Sequence, residues 1–393
     1  MTIVILLDVD GVLVHDRGYR AGVIATIEHF ATELGLNGLA PANHEVDAFQ
    51  AAGFTNEWDL APYAVRILRL VAASRSPGQR PDYGDWAART RDHPGSPSER
   101  AWATLLAELS HLRLPSSRKA TLEAGLNELL ADTYNVYRCP TTQVFQEFVL
   151  GSSLYAAHYG LEPRFEAPSL LEEEDEPALT PEGRACLARL VTEQDARACV
   201  YTARPSAPPR RAGELQAGRG WSGSGRESCA KTGDSPLAPE AELAVRAVGL
   251  DQLPLIAMGR MQWLAAKHGE SVESLTKPSP VQSLAAVGAA WSGDETRALD
   301  AAYDLFMRGA LTSPMADMAG GEVEIFVLED ATPGLLAAEE AQKLLRGAGL
   351  DARLRGIGVT RSPSKADALS THFEVIVPDV DAGFDWIASQ VKI

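Results

Sequence analysis

Asp8 and Asp10 close an apolar run, Met1-Thr2-Ile3-Val4-Ile5-Leu6-Leu7-Asp8-Val9-Asp10-Gly11-Val12-Leu13-Val14. A buried strand reads this way when it delivers carboxylates to the carboxyl edge of a sheet, where open α/β folds bind ligands. Alternation along an extended chain puts Asp8 and Asp10 on the same side, and Gly11 lets the chain turn sharply away. Two carboxylates this close repel, which calls for a cation between them. Hard oxygen ligands in small number favour Mg²⁺. A strand followed by an acidic loop is the plain alternative, and DxDG strings also occur in calcium loops.

Three later segments add to this pattern. In Ala198-Cys199-Val200-Tyr201-Thr202-Ala203-Arg204-Pro205 a strand ends in a hydroxyl residue. Thr202 can offer its hydroxyl and its backbone N–H to a phosphate oxygen, or simply cap a strand-to-loop turn. Arg204 either binds an anion or points into solvent. In Leu275-Thr276-Lys277-Pro278-Ser279-Pro280, Lys277 precedes a helix whose first turn suits Pro278; a surface lysine is the alternative. In Ile325-Phe326-Val327-Leu328-Glu329-Asp330-Ala331-Thr332-Pro333-Gly334 a second buried strand ends in adjacent acids. Glu329 and Asp330 read as metal ligands opposite Asp8 and Asp10, or else Asp330 or Thr332 caps the next helix.

The elements that must position these residues divide in two. Residues 2–7 form a strand, and strand signals then vanish until about 180. Tyr19–Gly35, His44–Ala52, Trp58–Ala73, Glu99–Ser110, Ser117–Ala131 and Thr141–Tyr159 read as helices by period and propensity. Ser74–Pro97 reads as a long loop, and the acidic run Glu172–Glu176 as a solvated surface connection. After Pro181 helices and strands alternate: helix Pro181–Glu193 capped by Thr180, strand Arg197–Tyr201, helix Ala241–Val248, strand Leu255–Met258, helices Pro278–Gly288 and Glu295–Arg308. Strand Glu322–Leu328, helix Leu335–Gly347, strands Arg355–Val359 and Phe373–Val377 and helix Ala382–Val391 follow. Residues 203–239, rich in Pro, Gly, Ser and Arg, read as a flexible insertion. The expected fold is α/β: a Rossmann-like, doubly wound parallel sheet from 1–14 and 180–393, with an α-helical cap from 15–179 inserted after the first strand. An insertion at that point is placed to act as a lid.

Within the helical stretch, Asn56, Trp58 and Asp59 of Gly53-Phe54-Thr55-Asn56-Glu57-Trp58-Asp59-Leu60 read either as substrate-facing or as a capped helix with Trp58 in its core. Arg66 and Arg69 farther along read as surface residues, with binding of a distal anion as the alternative. His15 reads as part of a hinge.

Composition narrows the classes. The 393 residues suffice for two domains. Lys plus Arg number 36 against 53 Asp plus Glu, a net charge of −17, which disfavours a nucleic-acid partner. Cys139, Cys186, Cys199 and Cys229 show no CxxC spacing and read as reduced thiols of a cytoplasmic protein. The first apolar run is too short for a signal or a membrane span.

Taken in order, LLDVDGVL, VYTARP, LTKPSP and VLEDATPGLLAAEEA resemble the haloacid dehalogenase superfamily of phosphohydrolases, with a helical insert like that of its phosphoglycolate phosphatase and β-phosphoglucomutase branch. The resemblance implies Asp8 as nucleophile, Asp10 as general acid/base, Thr202 and Lys277 as holders of the transferring phosphoryl group, and Asp8, the backbone carbonyl of Asp10, Glu329 and Asp330 as Mg²⁺ ligands. The Asn56–Asp59 element resembles a cap element of some members. The implied activity is a Mg²⁺-dependent phosphatase of a small phosphorylated metabolite, acting through an aspartyl-phosphate. A phosphomutase shares these residues, and a non-catalytic binding protein of this fold is the alternative from another class. Carbon–halogen hydrolysis needs neither Mg²⁺ nor the second acid, so Asp10 argues against a dehalogenase. The spans after Thr202 and between Lys277 and Asp330 are longer than this branch shows.

Overall fold

In the computed structural model, residues 1–54, 56–74, 80–129, 132–210 and 237–391 are described. Strand β1 (Thr2–Leu7) lies inside a parallel sheet. The other strands of that sheet are β4 (Arg197–Tyr201), β5 (Leu255–Ile256), β6 (Glu322–Glu329), β7 (Asp351–Val359) and β8 (Val375–Val377), in the order β5-β4-β1-β6-β7-β8. Alternation along β1 explains the central place. Ile3, Ile5 and Leu7 join one hydrophobic cluster while Val4 and Leu6 join the other, so both faces are covered, as an all-parallel sheet requires. From β1 the chain builds outward to β4 and β5, then returns to β6 on the other side. The order therefore reverses at β1, and the crevice at such a reversal is where open α/β sheets bind ligands.

The chain divides into two compact units, Met1–Asp16 with Asp175–Ile393, and Arg17–Glu174. The first is α/β and Rossmann-like. It also holds a two-stranded antiparallel pair, β2 (Val14–His15) with β3 (Glu176–Pro177). In the second, the described residues form helices and no strand. Among the described residues no helix is long and apolar enough to cross a membrane.

Several elements differ from the sequence reading. The expected single helix Thr141–Tyr159 is two, Pro140–Leu150 and Ser152–Tyr159, parted at Gly151, whose φ of +75° no helix accommodates. The expected loop Ser74–Pro97 contains the helix Tyr83–Arg91, started by Asp82, whose carboxylate accepts from the Asp85 N–H; residues 75–79 lie outside the described part. An extra helix, Met258–His268, replaces the end of the expected strand Leu255–Met258. The acidic run is not uniformly solvated: the Asp175 side chain is 3 % exposed and ion-paired to Arg204. Of the expected insertion 203–239, residues 211–236 lie outside the described part. The Thr180 cap is as read, its hydroxyl accepting from Gly183 N–H at 3.2 Å.

The described flank of that insertion is tied down by a buried charge network. Glu295, fully buried, accepts from the backbone N–H groups of Arg210 (2.8 Å) and Leu255 (3.0 Å) and from Arg260 Nε (3.1 Å). Burial works against its charge, but Arg260 and Arg210 outweigh it and hold the carboxyl below its usual range. Arg260, also fully buried, reaches Ala207 O at 2.8 Å and pairs with Glu242. Breaking one side of a buried ion network strands the other charge. Glu295→Ala should therefore destabilise the intact chain by about 3–5 kcal/mol in denaturant unfolding; a loss within roughly 0.5 kcal/mol, typical of surface changes, would contradict this account of the network.

Candidate active site

The register brings the strand ends level. Leu7 pairs with Val200 of β4 and with Leu328 of β6, so Asp8, Tyr201 and Glu329 emerge side by side, and the Asp8 N–H donates to Leu328 O at 3.1 Å. After Asp8 the backbone folds back tightly: Leu13 and Val14 N–H groups donate to Val9 O at 2.9 and 3.0 Å. Gly11 occupies φ +74°, and a Cβ there would lie 2.4 Å from Asp330 Oδ2. Glycine is thus required both for the turn and for the approach of the second acidic pair.

The Lys277 ammonium lies between these carboxylates, 3.0 Å from Asp8 Oδ1, 2.6 Å from Glu329 Oε1 and 3.4 Å from Tyr201 O. It also sits 3.7 Å from the centroid of the Tyr201 ring. Burial works against its charge, yet Asp8 and Glu329 outweigh burial and raise its pKa above the lysine value. Asp8 experiences the opposite balance. Burial and the neighbouring Glu329 push its carboxyl well above the usual range, with Lys277 only partly offsetting them.

Lys277 is held in place from its backbone. The helix it precedes starts later than the sequence suggested, at Pro280 with Ser279 as N-cap. Gln282, buried on that helix, accepts from Lys277 N–H at 3.3 Å and donates to Thr202 O (2.9 Å) and Ile256 O (3.2 Å). One amide therefore pins the lysine segment to the ends of β4 and β5. Gly334 does the equivalent for Glu329: a Cβ there would lie 1.8 Å from Glu329 Oε1, so only glycine lets the helix Thr332–Gly347 pack against that carboxylate.

Thr202 is buried at the end of β4, but its N–H donates to Ile256 O at 3.0 Å. The expected second N–H for phosphate is therefore used inside the sheet. Its hydroxyl accepts from Arg204 N–H at 3.2 Å and keeps its own proton to donate. Arg204 does not point into solvent. Its side chain is 1 % exposed, donates from Nε (2.8 Å) and Nη2 (2.5 Å) to Asp10 Oδ1, and reaches Asp175 Oδ2 at 2.8 Å. Asp330 does not cap the next helix: the N-cap is Ala331, without a side-chain bond, and Asp330 Oδ2 pairs with Lys365 at 2.5 Å.

Asp8, Glu329 and Asp330 each offer a carboxylate oxygen, and these atoms lie within 4.8 Å of one another. Hard, anionic oxygens converging on one point, two of the three buried, form a donor set that fits a small divalent cation. The Asp10 carboxylate belongs instead to Arg204. Asn56, Trp58 and Asp59 lie in the helical unit. There the Asn56 side chain accepts from Trp58 N–H at 2.9 Å and donates to Tyr134 Oη at 3.2 Å. Trp58 stacks on Tyr134, with ring centroids 6.1 Å apart, and Asp59 accepts from Tyr134 Oη at 2.8 Å. Thr55 lies outside the described part. Sequence reasoning missed Gln282, Lys365, Gly334 and Asp175; only Gln282, a lone amide on the apolar face of Pro280–Ser292, left a visible signal.

Because the Asp8 carboxyl is raised in the folded chain, that chain binds more protons than the unfolded one at pH values above the ordinary aspartate range, up to the raised pKa. Folding stability therefore falls as pH rises through this window. Asp8→Asn removes the repelled charge while Lys277 keeps Glu329. In divalent-free buffer at neutral pH its Tm should exceed the native one by roughly 2 °C or more, the gap narrowing toward pH 4. A lower Tm for the variant throughout would show that Asp8 is not under charge stress.

No family model matches the chain, and no curated protein does. Two solved structures are similar. One is a Northeast Structural Genomics Consortium target, with a TM-score of 0.60 and 13% identity over 99% of this chain and 99% of that one. The other is the phosphatase Tt82 from Thermococcus thioreducens, with a TM-score of 0.43 and 16% identity over 94% of this chain and 99% of that one. The first likeness runs the full length of both chains and is a likeness of fold.

Proposed function

We propose that this chain is a Mg²⁺-dependent phosphohydrolase of the haloacid dehalogenase type, acting on a small phosphorylated metabolite. The observation that carries the reading is the Lys277 ammonium held between Asp8 and Glu329, with Asp330 completing the acidic trio. A buried carboxylate beside a fixed cation suits attack on a charged phosphorus centre. In this reading an Asp8 oxygen forms the bond to phosphorus as the ester oxygen leaves, and water then breaks the resulting aspartyl-phosphate. Lys277 and the Thr202 hydroxyl bind the phosphoryl oxygens as charge builds on them. Asp10 gives a proton to the leaving oxygen and later takes one from water. Both Arg204 bonds fall on Asp10 Oδ1, which leaves Oδ2 for that proton.

Mg²⁺, when bound, neutralises phosphoryl charge and relieves repulsion among the carboxylates. Asp8, Glu329 and Asp330, with the Asp10 backbone carbonyl, are the ligands in this reading. The described cysteines Cys139, Cys186 and Cys199 are free and buried, in keeping with a cytoplasmic setting.

The test is a panel of phosphate esters with and without Mg²⁺. Phosphate release should require the cation, and Asp8→Asn should lower it by on the order of 10³-fold or more while the protein stays folded. Undiminished release in excess chelator, or from a folded Asp8→Asn protein, would sink the reading. Isomer formation on a sugar phosphate in place of phosphate release would move the assignment to a mutase.

A further inference from the structure

Arg66 sits on the helix Glu57–Ala73, inside the helical unit. The sequence reading placed it at the surface, but it is 0 % exposed. Its Nε, Nη1 and Nη2 are all enclosed, and none has a hydrogen-bond partner among the described residues. Trp102 lies over the guanidinium, with Cζ 5.4 Å from the ring centroid. The other groups that bear on its charge are Cys139 and Tyr63, and no carboxylate is among them. Tyr63 offers no negative charge, since burial lifts its hydroxyl to about 12 and it is bonded to Thr90 at 2.5 Å. Burial lowers the Arg66 pKa to about 9, so the guanidinium stays charged at neutral pH.

The other buried arginines show what is missing. Arg204 is bound by Asp10 and Asp175, and Arg260 by Glu242 and Glu295. Among the described residues Arg66 is the one buried arginine without an acceptor. A planar fork of five N–H donors with no acceptor is incomplete. We propose that Arg66 is the receptor for a small oxyanion, a carboxylate or a phosphate-like group, bound within the helical unit.

Trp102, which lies over the guanidinium, is itself partly exposed, so in this proposal movement of that ring admits the ligand. Nearby, the helix Ser116–Glu128 buries only Leu126. A Cβ on its Gly125 would lie 3.5 Å from Nη1 of Arg69, about one turn from Arg66.

The experiment compares the full-length native protein with Arg66→Met and Arg66→Lys in metal-free buffer, by thermal unfolding. Sulfate and malonate are titrated against chloride at equal ionic strength. Any oxyanion effect at the Lys277 site raises all three proteins alike, so the difference between them isolates Arg66 whatever the fate of the phosphatase reading. Sulfate or malonate should raise the native Tm saturably, by roughly 3 °C or more. The shift should fall by at least half in Arg66→Lys and vanish in Arg66→Met. A larger sulfate response marks a phosphate-like ligand and a larger malonate response a carboxylate. Equal shifts in the native protein and either variant, or no native shift beyond chloride, would overturn the proposal. Arg66→Lys alone decides it if the Met variant fails to fold.

Discussion

Four carboxylates gather at one sheet edge, two of them sharing the buried Lys277 ammonium. That arrangement is the constraint on which the α/β unit depends. Asp8 and Asp10 follow β1, Glu329 ends β6 and Asp330 follows it, and hydrogen-bond register puts these strands side by side. Like charges this close disfavour the fold, and the chain distributes countercharge accordingly: Lys277 to Asp8 and Glu329, Arg204 to Asp10, Lys365 to Asp330. A chain selected for stability alone would replace such a cluster with apolar side chains. Keeping it is intelligible if the site exists to hold a cation and a charged substrate, where charges already fixed in position need no reorganisation during reaction.

The glycines serve the same end. At the site, Gly11 and Gly334 let backbone or helix approach a carboxylate more closely than a Cβ allows. Each lies in a motif whose acids look like its main content, yet the acids converge only because the glycine beside them has no side chain. Gln282 fills the corresponding role for the lysine, since one buried amide joins the Lys277 segment to the ends of two strands. The geometry is therefore fixed by uncharged residues, and the charged ones occupy what these leave.

Much of this was legible in the sequence because it is local. Continuous apolar runs bounded by acids gave β1 and β6, and the alternation after Pro181 gave a parallel sheet. Asp8, Thr202, Glu329 and Asp330 each sit at or just past the end of a strand that the periodicity identified, and Lys277 lies in the turn ahead of the helix Pro280–Ser292. The partners were not legible, because pairing across 194 residues, as between Arg204 and Asp10, leaves no local trace. Asp175 looked like one more charge in a solvated run, and its pairing with Arg204 is a long-range contact the sequence does not mark. Arg66 misled for a related reason: an arginine amid apolar residues ordinarily reaches solvent along its stem, and only the packing of neighbouring helices shows that this one does not. The break at Gly151 was available from composition but was outweighed by helical period on both sides.

The central claim is that the Asp8–Glu329–Asp330 cluster is a divalent-cation site. Calorimetric titration of the chelator-treated protein with Mg²⁺, repeated with Mn²⁺ under electron paramagnetic resonance, tests it most directly. The account predicts one saturable site per chain, lost in Glu329→Gln combined with Asp330→Asn. Absence of saturable binding at millimolar cation, or binding unchanged in the double variant, would contradict it.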